Sequence, residues 1–314
     1  MARRGEGRVL CRADLGRVRR IFPLLLVALA AAVFVAPAEP AGNPEIAALQ
    51  VGLSSRGLYG GTVDGVFGPG TSKAVRRFQR KVGLPPSGLA GPRTRAALGR
   101  YGRRAPLGHR ALVHGTRGWD VAALQFALAW QGFPSGPFDG HLGLRTEAAL
   151  RRFQLRAGLV ADGKAGPSTF AALSAPTPRS PLTLSAPVQG PTGDTFGPRG
   201  NRFHSGLDFK APAGTAVSAA GAGRVVQVAR HIGGWGNFVV VKHSFGVQTL
   251  YAHLLRIDVK LGQRVSSGDA LGGVGASGNA IGPHLHFEVL VRGAAVDPLT
   301  AFLRSPGRPR PPRV

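Results

Sequence analysis

The spacing of apolar residues changes period along this chain. Between residues 46 and 98 it is helical: Ile46, Leu49 and Leu53 fall on one helix face, Ala74, Val75 and Phe78 form a second stripe, and Ala97 with Leu98 closes a third. Beyond residue 190 the pattern becomes short apolar or β-branched runs bounded by glycine-rich turns. These are Arg224 to Ala229, Asn237 to His243, Val247 to His253 and Leu285 to Val291, with further strand-and-turn units between Val259 and Gly272. Helices therefore come first and strands second.

The helical part is duplicated. Ile46-Ala47-Ala48-Leu49-Gln50 recurs 75 residues later as Val121-Ala122-Ala123-Leu124-Gln125, and the same offset maps Asp64-Gly65 onto Asp139-Gly140 and Arg76-Arg77-Phe78-Gln79 onto Arg151-Arg152-Phe153-Gln154. A gapless register of this length marks two copies of one domain. Phe78, Phe153, Leu49 and Leu124 are expected in the cores, and the aspartates in turns. The pattern resembles the peptidoglycan-binding domain of bacterial wall hydrolases, carrying its Leu-Gln, Asp-Gly-x-x-Gly, Thr-x-x-Ala-x-x-x-Phe-Gln and Gly-Leu segments twice. That resemblance implies two small three-helix bundles that bind wall glycan or stem peptide. The fold class expected is multidomain: two small all-α domains followed by an all-β domain.

The boundaries follow composition. Residues 1–20 hold seven arginines, and the apolar run Ile21 to Val35 and the small-x-small triplet Ala36-Pro37-Ala38 follow. This is the layout of a secretory signal, 1–38, with an uncleaved anchor as the alternative; the run is shorter than the about 20 residues that span a bilayer. Cys11 would leave with it. The first helical domain is placed at 42–100, the second at 108–174, a Pro-rich linker at 175–190, the β domain at 191–304 and a basic Pro/Arg tail at 305–314. No stable membrane span is expected after cleavage, and the localisation expected is secreted or wall-associated.

Charge narrows the partners without choosing one. Lys and Arg number 40 against 15 Asp and Glu, for a net charge of +25. Nucleic acid, lipid headgroups and an anionic wall all suit such a chain. The secretory leader and the lack of a nucleic-acid reading motif argue against nucleic acid; peptidoglycan is the partner that the resemblance implies, with anionic wall polymers as a further expectation.

Six of the nine histidines lie in the β domain: His204, His231, His243, His253, His284 and His286. In a strand over 285–291, the period of two puts His284 and His286 on one face and Leu285 and Phe287 on the other. Two imidazoles make half a metal site, and His204-Ser205-Gly206-Leu207-Asp208 is the best source of an acidic ligand. Three protein ligands leave a position open to water, as hydrolytic metal sites require. Glu288 shares the face of His286, and a role behind that histidine stays open. His231, His243, His109, His114 and His141 are expected to be structural, as are Tyr251 and Trp235. Gly273 to Gly278 matches G-x-G-x-x-G but leads into a strand, not a helix, so it is no dinucleotide fingerprint.

Phe196-Gly-Pro-Arg199, His204-x-x-x-Asp208, Ala211-Pro-x-Gly-Thr215, Gly234-Trp-Gly-Asn237, Tyr251-Ala-His-Leu254 and Ser277-Gly-Asn-x-x-Gly-Pro-His-Leu-His-Phe-Glu288 stand in the order seen in the lysostaphin/LytM-like zinc endopeptidases. The resemblance spans roughly 190–303. It implies one zinc ion on His204, Asp208 and His286, with His253 and His284 as the catalytic pair, their roles as base or oxyanion stabiliser not distinguished. It implies cleavage of peptide bonds in peptidoglycan stems or cross-bridges. Arg199 and Asn279 are candidates for orienting substrate. The alternative is a non-catalytic wall-binding regulator or scaffold of other murein hydrolases, since some members of the family have lost these residues; all five are present here.

Overall fold

A computed structural model describes residues 42–99 and 106–302. The signal segment and the basic tail expected from sequence lie outside the described residues. Among those residues no helix is long and apolar enough to cross a membrane.

Six helices come first: α1 (Pro44–Ser54), α2 (Pro69–Lys81), α3 (Pro92–Ala97), α4 (Trp119–Trp130), α5 (Leu144–Arg156) and α6 (Pro167–Leu173). Proline opens α1, α2, α3 and α6, where its fixed φ suits the first turn and its missing N–H costs nothing. The Asn43 carboxamide caps α1 by accepting from the Glu45 and Ile46 amides at 2.8 and 3.3 Å. Helix α2 buries one stripe only, Thr71, Ala74, Val75, Phe78 and Gln79. By contrast α4 is buried from Trp119 to Ala129 without a polar face, and α1 from Ala47 to Leu53. Each first helix packs on its own bundle with one side and on the other repeat's first helix with the opposite side, so residues of both share one core cluster.

Buried glutamines explain the duplicated Gln positions. The Gln50 side chain accepts from Gly65 N–H at 2.9 Å and donates to Asp64, Val66 O and Thr71; Gln125 does the same with Gly140, Asp139, His141 O and Thr146. Gln79 and Gln154 tie the second loops in like manner, to Gly88 and Gly163. A buried carboxamide must be fully paired, so each Gln selects the turn it faces.

The strands are β1 (Gly197–Arg199), β2 (Arg202–His204), β3 (Leu207–Lys210), β4 (Ala216–Ser218), β5 (Gly223–Ile232), β6 (Gly236–Lys242), β7 (Val247–Ala252), β8 (Leu254–Ile257), β9 (Arg264–Val265), β10 (Ala270–Val274), β11 (His284–Val291) and β12 (Ala294–Val296), with a last turn of helix α7 (Leu299–Phe302). The main sheet runs β12-β11-β7-β6-β5-β9, and β3 pairs the first half of β11 on the edge whose second half β12 occupies. A second sheet, β4-β10-β8, packs against it over Leu207, Val217, Val239, Tyr251, Leu271, Val274, Leu285 and Phe287. Leu285, Phe287 and Val289 face that core, which turns His284, His286 and Glu288 to the opposite face.

The Pro-rich stretch before the β domain is not a free spacer along its whole length. Leu184 and Val188 are buried in the β-domain core, and Leu184 and Ser185 donate backbone bonds to Ala301 and Ala220 at 3.0 and 2.8 Å. The helical part also meets the β domain directly. Ala295 N–H donates to Gly132 O at 3.0 Å, and a Cβ on Gly132 (φ +87°) would stand 2.3 Å from Ala295 O, so only glycine fits there. The tip of the β1–β2 hairpin is gripped twice. Val63 N–H donates to Gly200 O at 2.8 Å and Phe138 N–H to Asn201 O at 2.7 Å, while Trp130 meets Phe203 and Phe196 edge-on at 5.3 and 6.3 Å.

Candidate metal centre

The hairpin held in this way ends at His204, the last residue of β2. Four residues on, in β3, Asp208 pairs directly opposite His286 of β11, so the two side chains share a face. Gly206 lets the strands approach; a Cβ there would lie 2.5 Å from Phe287 O and 2.8 Å from His286 Cε1.

The result is a triangle of ligand atoms. His204 Nε2 lies 3.0 Å from His286 Nδ1 and 3.1 Å from Asp208 Oδ1, and His286 Nδ1 lies 2.9 Å from Asp208 Oδ1. All three residues are buried. The other ring nitrogens settle which atoms carry protons. His204 Nδ1 faces the carbonyl of Thr195 at 2.9 Å, and His286 Nε2 faces Glu288 Oε1 at 3.0 Å; both oxygens accept, so both nitrogens donate. Neutral imidazoles so arranged point two lone pairs at a carboxylate oxygen, with no proton among the three. Such a centre calls for a cation, and the N, N, O donor set with its outer hydrogen bonds fits a divalent metal.

Ionisation follows the same demand for positive charge. Burial raises the Asp208 carboxyl, but the hydrogen bonds from His204 and His286 outweigh it and hold the group well below the usual range. Burial opposes the charged form of His286, yet its bonds to Asp208 and Glu288 prevail and lift it to about 9. In the metal-free site one proton on His286 therefore stands in for the cation.

His253 and His284 lie beside this triangle. Their rings are 4.7 Å apart, and His253 is 5.9 Å from His286, centre to centre. Both anchor Nδ1 on a backbone carbonyl, His253 on Ser277 O at 2.7 Å and His284 on Gly282 O at 2.8 Å, which leaves Nε2 of each for chemistry. Burial pushes His253 below the ordinary imidazole value, with the Ser277 bond opposing. It adopts a left-handed φ of +62°, between β7 and β8, where its N–H donates to Trp235 O at 3.0 Å. A non-glycine residue in this region is a local strain typical of functional positions.

All five histidine and aspartate candidates line one open cleft of about 910 Å³. Arg199 and Asn279 line it too, with Arg199 paired to Asp194 at 2.7 Å. Tyr251 is fully buried and accepts from Ala220 N–H, a packing role as expected. Trp235 differs: it packs on Phe238 but is 42% exposed and forms part of the cleft wall. His243 is a satisfied core residue bonded to Ala222 O, and His114 pairs with Glu147. Glu288, left open by sequence, accepts from both His286 and Ser205, the latter at 2.5 Å. The period of two after His286 is the signal for it; Thr195 and Ser277 act through backbone carbonyls and leave none.

A buried two-histidine, one-carboxylate cluster that could hold a metal ion, flanked by two further imidazoles in a cleft, is the candidate site of this domain. Residues 202–298 match the model of Peptidase family M23, and residues 42–98 and 117–173 each match that of a putative peptidoglycan binding domain. The chain thus carries an M23 peptidase domain behind two peptidoglycan-binding domains. It is 42% identical over 105 residues to the DD-carboxypeptidase/endopeptidase Mpg of Neisseria gonorrhoeae, covering 33% of this chain and 24% of the relative. Against the peptidoglycan DD-endopeptidase ShyA of Vibrio cholerae it is 45% identical over 98 residues, 31% of this chain and 23% of the other. The chain therefore spans about a quarter of the length of these curated relatives. The catalytic domain of lysostaphin from Staphylococcus simulans is similar at 32% identity, with 35% of this chain and 90% of that one covered, at a TM-score of 0.33.

Proposed function

We propose that the protein is a secreted, wall-bound endopeptidase that cleaves peptide bonds in peptidoglycan stems or cross-bridges with one zinc ion. The observation that carries this reading is the close triangle of His204 Nε2, Asp208 Oδ1 and His286 Nδ1, with two more imidazoles presenting Nε2 to the same cleft. His204, Asp208 and His286 would hold the ion. Bound there, zinc supplies Lewis acidity that polarises the scissile carbonyl and makes water nucleophilic at neutral pH. His253, kept neutral by burial, accepts the proton of the attacking water at Nε2. His284, at the more open edge of the cleft, faces the charge that develops on the carbonyl oxygen. Glu288 and Thr195 hold the rings of His286 and His204 in the ligating tautomers. Lys210 and Arg202 also line the cleft and have no acidic partner among the described residues, which suits a peptide bearing a carboxylate.

The arginine-rich leader and the cleavage site near Ala38 carry the reading of secretion. Tethering by the helical domains and attraction of a basic chain to anionic wall polymers raise the local substrate concentration. Purified mature protein is expected to release peptides from murein, to stop with a chelator and to resume with zinc. His253→Ala is expected to keep the metal and lose turnover, and Asp208→Ala to lose both. Fragment release by both variants at the parent rate would refute the site, whereas murein binding with bound zinc and no release would turn the reading to a non-catalytic scaffold.

A further inference from the structure

Four imidazoles face the cleft, and three are steered by the strands that carry them. His204 ends β2, and His284 and His286 lie on one face of β11. His253 has no strand of its own: it is the single residue between β7, which ends at Ala252, and β8, which begins at Leu254. Its left-handed φ of +62° is a conformation that a non-glycine residue leaves unless its surroundings hold it. The partner of its ring, the Ser277 carbonyl, lies 24 residues further along the chain. What fixes Ser277 therefore decides where the His253 ring points.

Ser277 is fixed by its own side chain. The hydroxyl donates to Leu254 O at 3.0 Å and accepts from Asn237 N–H at 2.9 Å. The Asn237 carboxamide is buried; it accepts from His231 N–H at 3.0 Å and donates to the same Leu254 oxygen at 2.9 Å. Leu254 O thus has both lone pairs engaged, and His253 N–H is bound to Trp235 O at 3.0 Å, so the backbone is pinned on either side of the ring. The two turns that do this lie in backbone contact. Asn279 N–H donates to Gly234 O at 2.9 Å, and a Cβ on Gly236 (φ +63°) would stand 2.5 Å from Ser277 Oγ, too close for any other residue.

We propose that Ser277 is a positioning residue for His253. Its hydroxyl, together with the Asn237 carboxamide, holds the turn in which the Ser277 carbonyl takes the Nδ1 proton of His253, and so keeps Nε2 of that ring aimed at the cleft. Ser277 does not itself line the cleft, so it acts through the histidine and not on the substrate. Its hydrogen bonds go to Asn237, His253 and Leu254 and not to His204, Asp208 or His286, so metal binding does not depend on it. That the hydroxyl matters for turnover rests on the role proposed for His253; the orientation of the ring does not.

The test is Ser277→Ala in the zinc-loaded mature chain, assayed on a soluble synthetic stem peptide. kcat is expected to fall on the order of tenfold, with KM and zinc affinity by chelator competition unchanged, and Ser277→Thr, which keeps the hydroxyl, to recover the rate. In the His253→Ala background the same serine change is expected to have no further effect on the residual turnover, since the group it positions is gone. Equal losses in both backgrounds, a fall in zinc affinity that matches the fall in turnover, or a folded threonine variant as slow as the alanine one would overturn the proposal. A second readout needs no turnover. The ring nitrogen NMR signals of His253 are expected to show the Nδ1–H tautomer alone in the parent and an average of both tautomers in Ser277→Ala; a single tautomer retained in the alanine variant would also overturn it. A parent chain that releases no peptide, yet shows this change in the ring signals, would keep Ser277 as the positioning group and remove His253 as the base.

Discussion

Glu288→Gln isolates the part of the metal centre that lies behind the ligands. The substitution keeps the shape and an oxygen facing His286 Nε2 at the present 3.0 Å, and Ser205 can still donate to that oxygen. It removes the negative charge from a group that is 3% exposed. A hydrogen bond to a charged acceptor contributes about 1.5–3 kcal/mol against about 0.5–1.5 kcal/mol for a neutral one. The ligating nitrogen of His286 therefore loses about 1–2 kcal/mol of support, which weakens zinc binding on the order of tenfold, the low end of what such outer partners contribute. The proton on His286 complicates this in a testable way. In the metal-free chain that proton is held up to about 9, so below that pH zinc must displace it. The same variant loosens the proton, and the two effects oppose each other at neutral pH. Chelator competition at pH 7 and at pH 9.5 should show a small difference at the lower pH and the full tenfold loss at the higher one. Equal affinities at both pH values, or tighter binding by the variant at pH 9.5, would refute the role given to Glu288.

Two further outcomes are expected. Trp130→Ala removes the edge-on contacts to Phe203 and Phe196, about 0.5–1.5 kcal/mol each beyond the area lost, and loosens the hairpin that ends at His204; zinc affinity and turnover of a soluble peptide should both fall, with Trp130→Phe recovering them, and an unchanged zinc affinity in the alanine variant would separate hairpin from metal. His243 is buried with a pKa pushed below the ordinary 6.5, burial outweighing its bond to Ala222, so unfolding takes up a proton: its contribution is complete above pH 6.5 and is lost as pH falls through the depressed value. The unfolding free energy should decline over that window with a slope of up to about 1.4 kcal/mol per pH unit, and His243→Gln should flatten it.

The order of helices and strands, and the residues that meet at the candidate metal site, are legible in the chain because each has a local pattern. The 75-residue repeat, the His-x-His period in β11 and the glycine between His204 and Asp208 are all short-range signals. What was hidden is long-range. Trp235 is expected from sequence to be structural, but the three-residue helical turn at 233–235 places its exposed edge in the cleft. Residues 175–190 have a linker's composition, yet Leu184 and Val188 supply two apolar anchors to the β-domain core. A helical stripe for α1 underestimates its burial, because the partner that covers the other side is a helix 75 residues away.

The repeat itself has a use that its sequence does not announce. Val63 and Phe138 are the same position in the two copies, 75 residues apart, and their amides bond the neighbouring carbonyls of Gly200 and Asn201. One hairpin tip is therefore held by one amide from each copy, and the related packing of α1 on α4 sets the spacing of the two donors. At about 1 kcal/mol per hydrogen bond, with the Trp130 contacts added, the helical part contributes several kcal/mol to the placement of His204. A tether would require only a flexible connection between wall binding and catalysis. Here the helical part also buttresses the hairpin that ends at His204, so on the proposed reading the β domain expressed alone should fall short in zinc affinity as well as in attachment to murein.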